Sequence, residues 1–588
     1  MPSLLASLNP GWLLIAVGFV LLFLPVRRVR QAIAIATPLV AMVLLTLAER
    51  QVNLAGGTTM GLDLVFYRVD SLNYIFSLAF LIAALLNGIY SWHTDNRLQD
   101  GMALAYAGAA VAAALCGDLM TLFVFWEITA VTSVFLILQA GTRRAYFASM
   151  RYLVIQVLSG VLLLAGITYV YKATGDLSLK AFTSLDQPGA WLIFIAFGIK
   201  AAFPFMHNWL QDSYPKASVT GAVILSAFTT KLAVYAFARM FPGHDPLIWI
   251  GAVMTIFPVF FAVIENDLRR VLAYSLNNQV GFMICAIGLG TAGVGDAMAL
   301  NGASAHAFAH ILYKGLLFMS MGAVLYRTGT TKASELGGLY KSMPWTTVFC
   351  IIGAMSISAF PLFSGFAAKS LTMSAVGHYP ELFVVWLMLL FASAGVLEHS
   401  GIKIPYFAFF AHDSGRRVKE APFNMLLAMG LAAFICIAVG LPAIIPGLGY
   451  EWLYSLLPYS EEAMSYKPFT TAHVLTQMQL LVLAIFAFIL LKRFGVYPAE
   501  KDATILDTDW LYRKLGLGFA TWAGTVWGKA GPAMTALFFA VSGRAFKRIE
   551  NTFSPRGELA RGGLQGAAAI WTAAVLGFVL LLAFITVR

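Results

Sequence analysis

Long apolar blocks follow one another along most of this chain, each near the roughly 20 residues a helix needs to cross a hydrocarbon core, with short polar or basic connections between them. They lie near 11–26, 31–48, 70–92, 101–116, 119–140, 151–171, 190–206, 219–240, 247–264, 271–290, 299–325, 345–362, 380–411, 421–440, 473–493 and 564–586. The pattern predicts an all-α polytopic membrane protein with about 16 transmembrane helices. The connections differ in charge. With the first residue outside, the inner loops collect Arg27, Arg28, Arg30, Arg97, Arg143, Arg144, Arg151, Lys216, Arg269, Arg270, Arg327, Lys332, Lys341, Arg416, Arg417 and Lys419. The longest outer loop, about 441–472, is mildly acidic through Glu451, Glu461 and Glu462. Lys and Arg gather in cytoplasmic loops, so the N-terminus is expected outside. No basic region precedes the first span and no small-residue cleavage site follows it, so it reads as a mature span rather than a removable signal.

Composition narrows the class further. Only 11% of the 588 residues are charged and 60% are hydrophobic, against about 25% charged in soluble domains, which excludes a soluble multidomain enzyme. The formal net charge of +11 follows from the inner loops and calls for no nucleic-acid partner. Cys116, Cys285, Cys350 and Cys436 stand far apart in apolar stretches. They form no CxxC framework, so iron–sulfur clusters, structural zinc and disulfides are disfavoured, and neither a cofactor nor a resident metal is expected. The stretch 495–563 is different in kind, with Arg513, Lys514, Lys529, Arg544, Lys547 and Arg548 among Trp510, Trp522, Trp527 and Phe546. It reads either as an amphipathic helix along the cytoplasmic interface or, given Gly516, Gly518 and Pro532, as a loop with anchor residues.

Ionisable residues inside the spans carry the chemistry, because each costs roughly 2.5–3.5 kcal/mol at a helix centre and must be offset by partners, water or function. Glu127 lies in LFVFWEITAVTSVFLI, Lys200 in WLIFIAFGIKAAFPF, Lys231 in ILSAFTTKLAVYAF, Lys314 in HAFAHILYKGLLFM and Lys403 in LEHSGIKIPYFAFF. One lysine could snorkel to a headgroup; four, with a lone glutamate, imply an internal polar path. His306, His310 and Lys314 recur every four residues, so they form one stripe on the helix. Histidine titrates near neutral pH and a desolvated lysine can be brought toward it, which suits a proton relay. An HxxxH pair could instead hold a metal, but no glutamate follows His306 and no third ligand is near.

Pro204 follows Lys200 by four residues and Pro405 follows Lys403 by two. A proline frees backbone carbonyls, and broken helices at membrane depth typically line ion pathways. The repeat of lysine beside proline suggests two related half-bundles. Gly288, Gly290 and Gly293 spell G-x-G-x-x-G but follow an apolar helix with no strand before it, so small-residue helix packing is the better reading.

The segments FWEITAVTSVFLI, IKAAFPFMHNWLQDSYPKASVTGAVILSAFTTKLAVYAFAR, ENDLRRVLAYSLNNQVGFM and HAFAHILYKGLLFMSMG resemble the antiporter-like subunits shared by Mrp-type cation/proton antiporters, respiratory complex I and membrane-bound hydrogenases. The resemblance covers about residues 60–410. It implies two inverted five-helix bundles with a proton path through both: 101–265 and 266–420, preceded by N-terminal spans in 1–100 and followed by peripheral spans in 421–494, the interfacial segment 495–563 and a final span in 564–588. It places the family's glutamate–lysine pair on Glu127 and Lys200, its further lysine on Lys231, its central relay on His306, His310 and Lys314, and its late lysine on Lys403. PFMHNWL carries one residue more between proline and histidine than the family pattern, and Glu398 and His399 before Lys403 are unusual. The tail resembles the longer members, whose lateral helix braces neighbouring subunits. Implied are partner membrane subunits, protons and Na+ as the transported ions, and a bacterial inner membrane. Three functions compete: a monovalent cation/proton antiporter subunit of the D type, a proton-pumping subunit of a redox complex whose cofactors sit in other chains, and the membrane partner of an inorganic-carbon uptake complex.

Overall fold

The computed structural model describes residues 8–442 except 51 and 60, 447–532 except 504, 506 and 529, and the pieces 551 and 574–578. The chain divides into two units, Met1–Asp507 and Thr508–Arg588. In the second, residues 509–528 are helical, with a π-helical stretch at Leu511–Gly516, and Trp510, Trp522 and Trp527 are exposed. Lys529, Arg544, Phe546, Lys547, Arg548 and most of the expected last span lie outside the described residues.

The first unit is helical, and nine helices among the described residues are long and apolar enough to cross a membrane. In chain order they and their shorter neighbours are α1 (Pro10–Phe23), α2 (Arg27–Leu47), α3 (Ser71–Tyr90), α4 (Arg97–Ala114), α5 (Leu119–Leu138), α6 (Arg143–Thr174), α7 (Ala190–Ala201), α8 (Asn208–Ser213), α9 (Val219–Ala227) and α10 (Thr229–Met240). Then come α11 (Asp245–Ile264), α12 (Leu268–Ile287), α13 (Ala297–Thr328), α14 (Pro344–Ile357), α15 (Ser364–Gly377), α16 (Phe383–Val396), α17 (Phe423–Ala438), α18 (Tyr450–Ser455), α19 (Ser460–Ser465) and α20 (Thr471–Arg493). Their ends are written locally. Asp70, Asn96, Asp118, Thr142, Ser218 and Asp296 each accept from the backbone N–H of the third residue of the helix they open, satisfying a donor the first turn leaves orphaned. Left-handed Gly175 and Gly329 close α6 and α13. Where α1 crosses α4, a Cβ on Gly11 would meet the Ala112 backbone N at 2.4 Å, so the two backbones are in contact, as small residues allow.

The fold is not wholly helical. Val52–Thr59 (β1) and Leu62–Val69 (β2) pair antiparallel, and β2 is tied to the start of α5 by Val65 N–H donating to the Asp118 carboxylate at 2.8 Å. The apolar windows pass over this hairpin because neither strand approaches a span in length. A second, smaller hairpin joins Gly290–Thr291 to Val294–Gly295. Gly290 (φ 110°) and Gly293 (φ 86°) turn its chain, so of the G-x-G-x-x-G glycines only Gly288 serves helix packing, against Ile248.

Three spans are interrupted. The first break separates α7 from α8 at Ala202–His207, and a second lies at Phe228 between α9 and α10. The third follows α14, which takes up most of the span expected at 345–362: α14 ends at Ile357 and a further helix, α15, starts at Ser364, beyond that span. The first and third breaks are one turn used twice. Ala202-Phe203-Pro204-Phe205 and Ala359-Phe360-Pro361-Leu362 place left-handed residues at their first and fourth positions, φ 63° and 68° in one and 56° and 76° in the other. Their backbone bonds match: Phe203 N to Gly198 O (3.0 Å) and Phe360 N to Met355 O (3.1 Å), Met206 N to Phe203 O (2.9 Å) and Phe363 N to Phe360 O (3.2 Å). These four are the only non-glycine residues with positive φ among the described residues. The repeat sought at Pro405 is therefore at Pro361. Pro405 sits inside a run that stays helical, π at Leu397–Ile402, α at Lys403–Pro405 and π again at Tyr406–Phe410; the wider π turns absorb the missing N–H without a break.

Candidate functional site

Lys200, Lys231, His306, His310 and Lys314 are each 0% exposed, and Lys403 is 2% exposed. Glu127 is half-buried on α5. Its Oε1 has no hydrogen-bond partner among the described residues and lies against Gly160 of α6, where a Cβ would fall 1.7 Å away. Lys200, at the last turn of α7, donates to the Trp126 carbonyl (2.6 Å) and to Thr129 Oγ1 (2.9 Å), with its ammonium 4.2 Å from the Trp126 ring centre. Glu127 and Lys200 interact through their charges, but the lysine is held by the neighbours of Glu127 and not by its carboxylate.

From Lys200 the polar interior continues through hydroxyls. Ser133 Oγ is 2.9 Å from Tyr152 Oη, and Tyr106 Oη is 2.5 Å from Thr229 Oγ1. Thr229 opens α10, and two residues on, Lys231 donates to the Ser226 carbonyl at 2.6 Å, an acceptor the break at Phe228 has released from the helix ladder. His310 lies within electrostatic reach of Lys231, Lys314 and His306. The rings of His306 and His310 are 6.4 Å apart and that of Tyr313 is 5.3 Å from His310. His306 Nε2 sits 3.1 Å from Gln279 Oε1 and 3.0 Å from Tyr313 Oη, while neither nitrogen of His310 has a partner among the described residues. Lys314 donates to Ser275 Oγ at 2.7 Å. His306, His310 and Lys314 lie on α13, and α12 supplies Gln279 and Ser275 beside them. Among the described residues no group of three or more His, Cys, Asp and Glu is arranged to hold a metal ion.

Lys403 is placed apart. It donates to the carbonyls of Ala262 (3.2 Å), Val263 (2.6 Å) and Glu265 (2.6 Å), at the C-terminal end of α11, next to Asp267, which caps α12, and to Arg269 and Arg270 in the first turn of α12. Its ammonium there neutralises the negative end of a helix.

One further buried lysine is not marked by the hydropathy pattern. Lys369, 2% exposed on α15, donates to the Ile357 carbonyl at 3.4 Å, across the second Ala-Phe-Pro turn. Its Nζ is 4.9 Å from the centre of the Phe282 ring, which is 5.9 Å from that of His306. On its other side Lys369 lines a cavity of about 360 Å³ with Ser374, His378, His473 and Gln477. The apolar windows end at 362 and resume at 380, so they pass over α15. The signal that marks it is the recurrence of Ala-Phe-Pro ahead of it.

His207, whose role the sequence leaves open, is buried at the start of α8, with Nε2 3.3 Å from Asp507 Oδ2. Tyr274 donates to the same oxygen at 2.7 Å and Asn208 to Oδ1. The stretch 495–507, grouped by sequence with the tail, is bound to the first unit through this carboxylate, through Arg270 to the Ile505 carbonyl (2.9 Å) and through Lys332 to Asp502 (2.6 Å).

Residues 116–437 match the family model described as NADH:quinone oxidoreductase/Mrp antiporter, transmembrane. Among curated relatives, Hydrogenase-4 component B of Escherichia coli (strain K12) is 27% identical over 420 residues, 64% of this chain and 62% of that protein. The D-type subunit of the Na(+)/H(+) antiporter of Alkalihalophilus pseudofirmus is 35% identical over 275 residues, 43% of this chain and 54% of its own. The chain therefore spans between about half and just under two thirds of the length of these relatives. In fold it is similar to a chain of the membrane-bound sulfane sulfur reductase, an archaeal respiratory membrane complex (TM-score 0.67, 21% identity, 97% of this chain and 99% of that one). It is similar also to one of the Mrp complex from Dietzia sp. DQ12-45-1b (TM-score 0.67, 20% identity, 80% and 99%). The match to the family model extends over more than half of the chain and contains Glu127 and every buried lysine and histidine named above, and on that ground the chain belongs to the NADH:quinone oxidoreductase/Mrp antiporter transmembrane family.

Proposed function

We propose that this protein is the proton-translocating membrane subunit of a multisubunit monovalent cation (Na+)/proton antiporter in the bacterial inner membrane. The observation that carries the proposal is the line of titratable groups from half-buried Glu127 through buried Lys200, Lys231, His310 and His306 to Lys314 and Lys369. A charge in such surroundings is costly unless its neighbours change with it. Protonating one member therefore alters the balance at the next, and a proton is passed along while the backbone stays in place. We group the spans as two sets of five, α4 to α10 and α11 to the π-helical run, which moves α11 (Asp245–Ile264) out of the first bundle, bounded at 265 from the sequence, into the second and puts the repeated turn in the fourth member of each. Five crossings are an odd number, so the second set enters from the opposite face.

A second reading is the proton-pumping arm of a redox complex whose electron carriers sit in other subunits. The 97% coverage by the sulfane sulfur reductase chain, against 80% by the Mrp chain, favours it. One measurement tests both readings and a second separates them. Glu127→Gln in the reconstituted complex should abolish proton flux under either reading, and unchanged flux would refute both. Flux driven by a Na+ gradient alone, in a complex that purifies without redox subunits, is expected of the antiporter; flux that appears only with an electron donor and acceptor would reject it for the pump.

A further inference from the structure

We infer that the π-helical run after α16 is a proton inlet to the second set of spans, opening on the face that carries the basic loops and ending on Lys314. The inference rests on the proposed proton path and adds Glu398, His399, Ser400 and Ser275 to it.

The inner end is closely bonded. Ser275 Oγ receives Lys314 Nζ at 2.7 Å and Ser400 Oγ at 2.7 Å. When Lys314 is neutral its lone pair can accept the Ser275 proton while Ser275 accepts from Ser400, which orients both hydroxyls toward the amine. His399 precedes Ser400 and is 0% exposed; among the described residues neither of its ring nitrogens meets a partner at normal hydrogen-bond geometry. π-Helical turns are uncommon and collect at functional sites, and this one brings His399 and Ser400 inward together. A Cβ on Gly401 would fall 2.3 Å from Ser358 Oγ, so the run is seated on the second Ala-Phe-Pro turn.

The outer end is ionisable and reaches the surface. Lys403, one turn beyond Ser400, has Glu398, Glu265, Glu500 and Lys492 within electrostatic reach. Glu265 is tied to Arg270 at 3.1 Å. Glu398 is half-buried, and Lys492 and Glu500, 3.5 Å apart, are 34% and 16% exposed. Tyr497, buried between the charges of Glu398 and Glu500, has no hydrogen-bond partner for its hydroxyl among the described residues.

The step balances. A proton taken up at Glu398 passes through water to His399, whose ring nitrogens meet no protein partner among the described residues, and through water again to Ser400. The Ser400 and Ser275 hydroxyls each accept one proton and release their own, and the amine of Lys314 becomes an ammonium. One proton moves inward and no hydroxyl remains ionised. A role for Lys403 as a helix-end cation alone would need none of these groups.

The test uses the whole complex in proteoliposomes, with proton flux read by a pH-sensitive dye. Ser400→Ala, which keeps the packing but removes the relay hydroxyl, should lower flux about a hundredfold, the low side of what a positioned proton-transfer group contributes. Ser400→Thr should restore it. Tyr497→Cys, which puts a thiol between Glu398 and Glu500 and removes no group of the relay, should carry flux and lose it to a membrane-impermeant charged thiol reagent added to the face bearing the basic loops, and not from the other face; the four native cysteines are buried. Wild-type flux in Ser400→Ala while Glu127→Gln is inactive would overturn the inlet and leave the proposed function standing. Wild-type flux in both would overturn the two together. If Ser400→Ala does not assemble, the Tyr497→Cys result decides: block from the opposite face, or from neither, rejects the inlet.

Discussion

Gly160→Ala tests the position of the Glu127 charge without removing it. A Cβ there would lie 1.7 Å from Oε1, 2.4 Å from Cδ and 3.1 Å from Oε2. All three are atoms at the end of a flexible side chain, so the carboxylate yields and the α5–α6 backbone does not. To reach a tolerable 3.0 Å or more, Oε1 must move by at least about 1.3 Å. Glu127 and Lys200 interact through their charges without a direct bond; for any such pair, at an effective dielectric near 20, moving unit charges from about 6 Å to about 7.5 Å lowers their interaction from roughly 2.8 to roughly 2.2 kcal/mol. The loss of about 0.6 kcal/mol is two- to threefold in a protonation equilibrium, whereas removing the charge forfeits the whole interaction, about a hundredfold. The expected series in assembled, reconstituted complex is therefore wild type, Gly160→Ala at roughly a third to a half of its proton flux, and Glu127→Gln near zero. Co-purification of the partner subunits with all three establishes that assembly is unchanged. Wild-type flux in Glu127→Gln would refute the reasoning, as would an equal, small loss in both variants, because the charge would then not be what Gly160 makes room for.

Lys200→Ala should be inactive, and Lys200→Arg should be inactive as well although it keeps the charge, because arginine does not release its proton at accessible pH; proton flux in vesicles reads both. Lys369→Met should abolish flux without loss of assembly, since the variant leaves no unpaired charge behind; retained flux would remove Lys369 from the path. Burial alone would raise the Asp507 carboxyl, but hydrogen bonds from His207, Tyr274 and Asn208 outweigh it and hold the group well below the usual carboxylate range. A carboxyl lowered in the folded state stabilises above its ordinary value near 4 and loses that contribution as pH falls from there toward the folded value. The 495–507 stretch should therefore become protease-sensitive below about pH 4 in the wild type, and already at neutral pH in Asp507→Asn. Truncation after 507 should leave the first unit intact, whereas truncation after 495 should destabilise it, as thermal unfolding of the two products will report.

Glu127, Lys200, Lys231 and the His306–His310–Lys314 stripe are legible in the sequence because a charge in an apolar run has no inexpensive explanation, and because a four-residue period has a fixed meaning on a helix. Lys369 is not, for the converse reason. It stands in a half-helix of 14 residues, Ser364–Gly377, too short for a window built on full crossings. The π turns around His399 leave no mark in hydropathy, since they change the backbone period and not the composition. Pro405 misleads because proline marks only a lost donor; whether the helix breaks or widens depends on what packs beside it, here Gly401 on Ser358. Asp507 lies far from its partners along the chain, and nothing local announces that a carboxylate in a polar stretch will be buried.

The duplicated Ala-Phe-Pro turn bears on how energy can move through the molecule. A non-glycine residue held in the left-handed region costs on the order of 1–3 kcal/mol, and each turn holds two. They are held by surrounding bonds: Asn277 donates to the Ala202 carbonyl (3.1 Å), Trp209 to Ile199 (2.9 Å), Gln477 to Ser358 (3.2 Å) and Lys369 to Ile357 (3.4 Å). Such joints behave as rivets. The two half-helices at each turn are fixed in direction, and the carbonyls released there form a permanent polar lining. A signal crossing from one set of spans to the other therefore has to travel as shifted protons, rotated side chains and rearranged water, and engineering that replaced Ala202, Phe205, Ala359 or Leu362 with glycine would relieve strain and turn a rivet into a hinge.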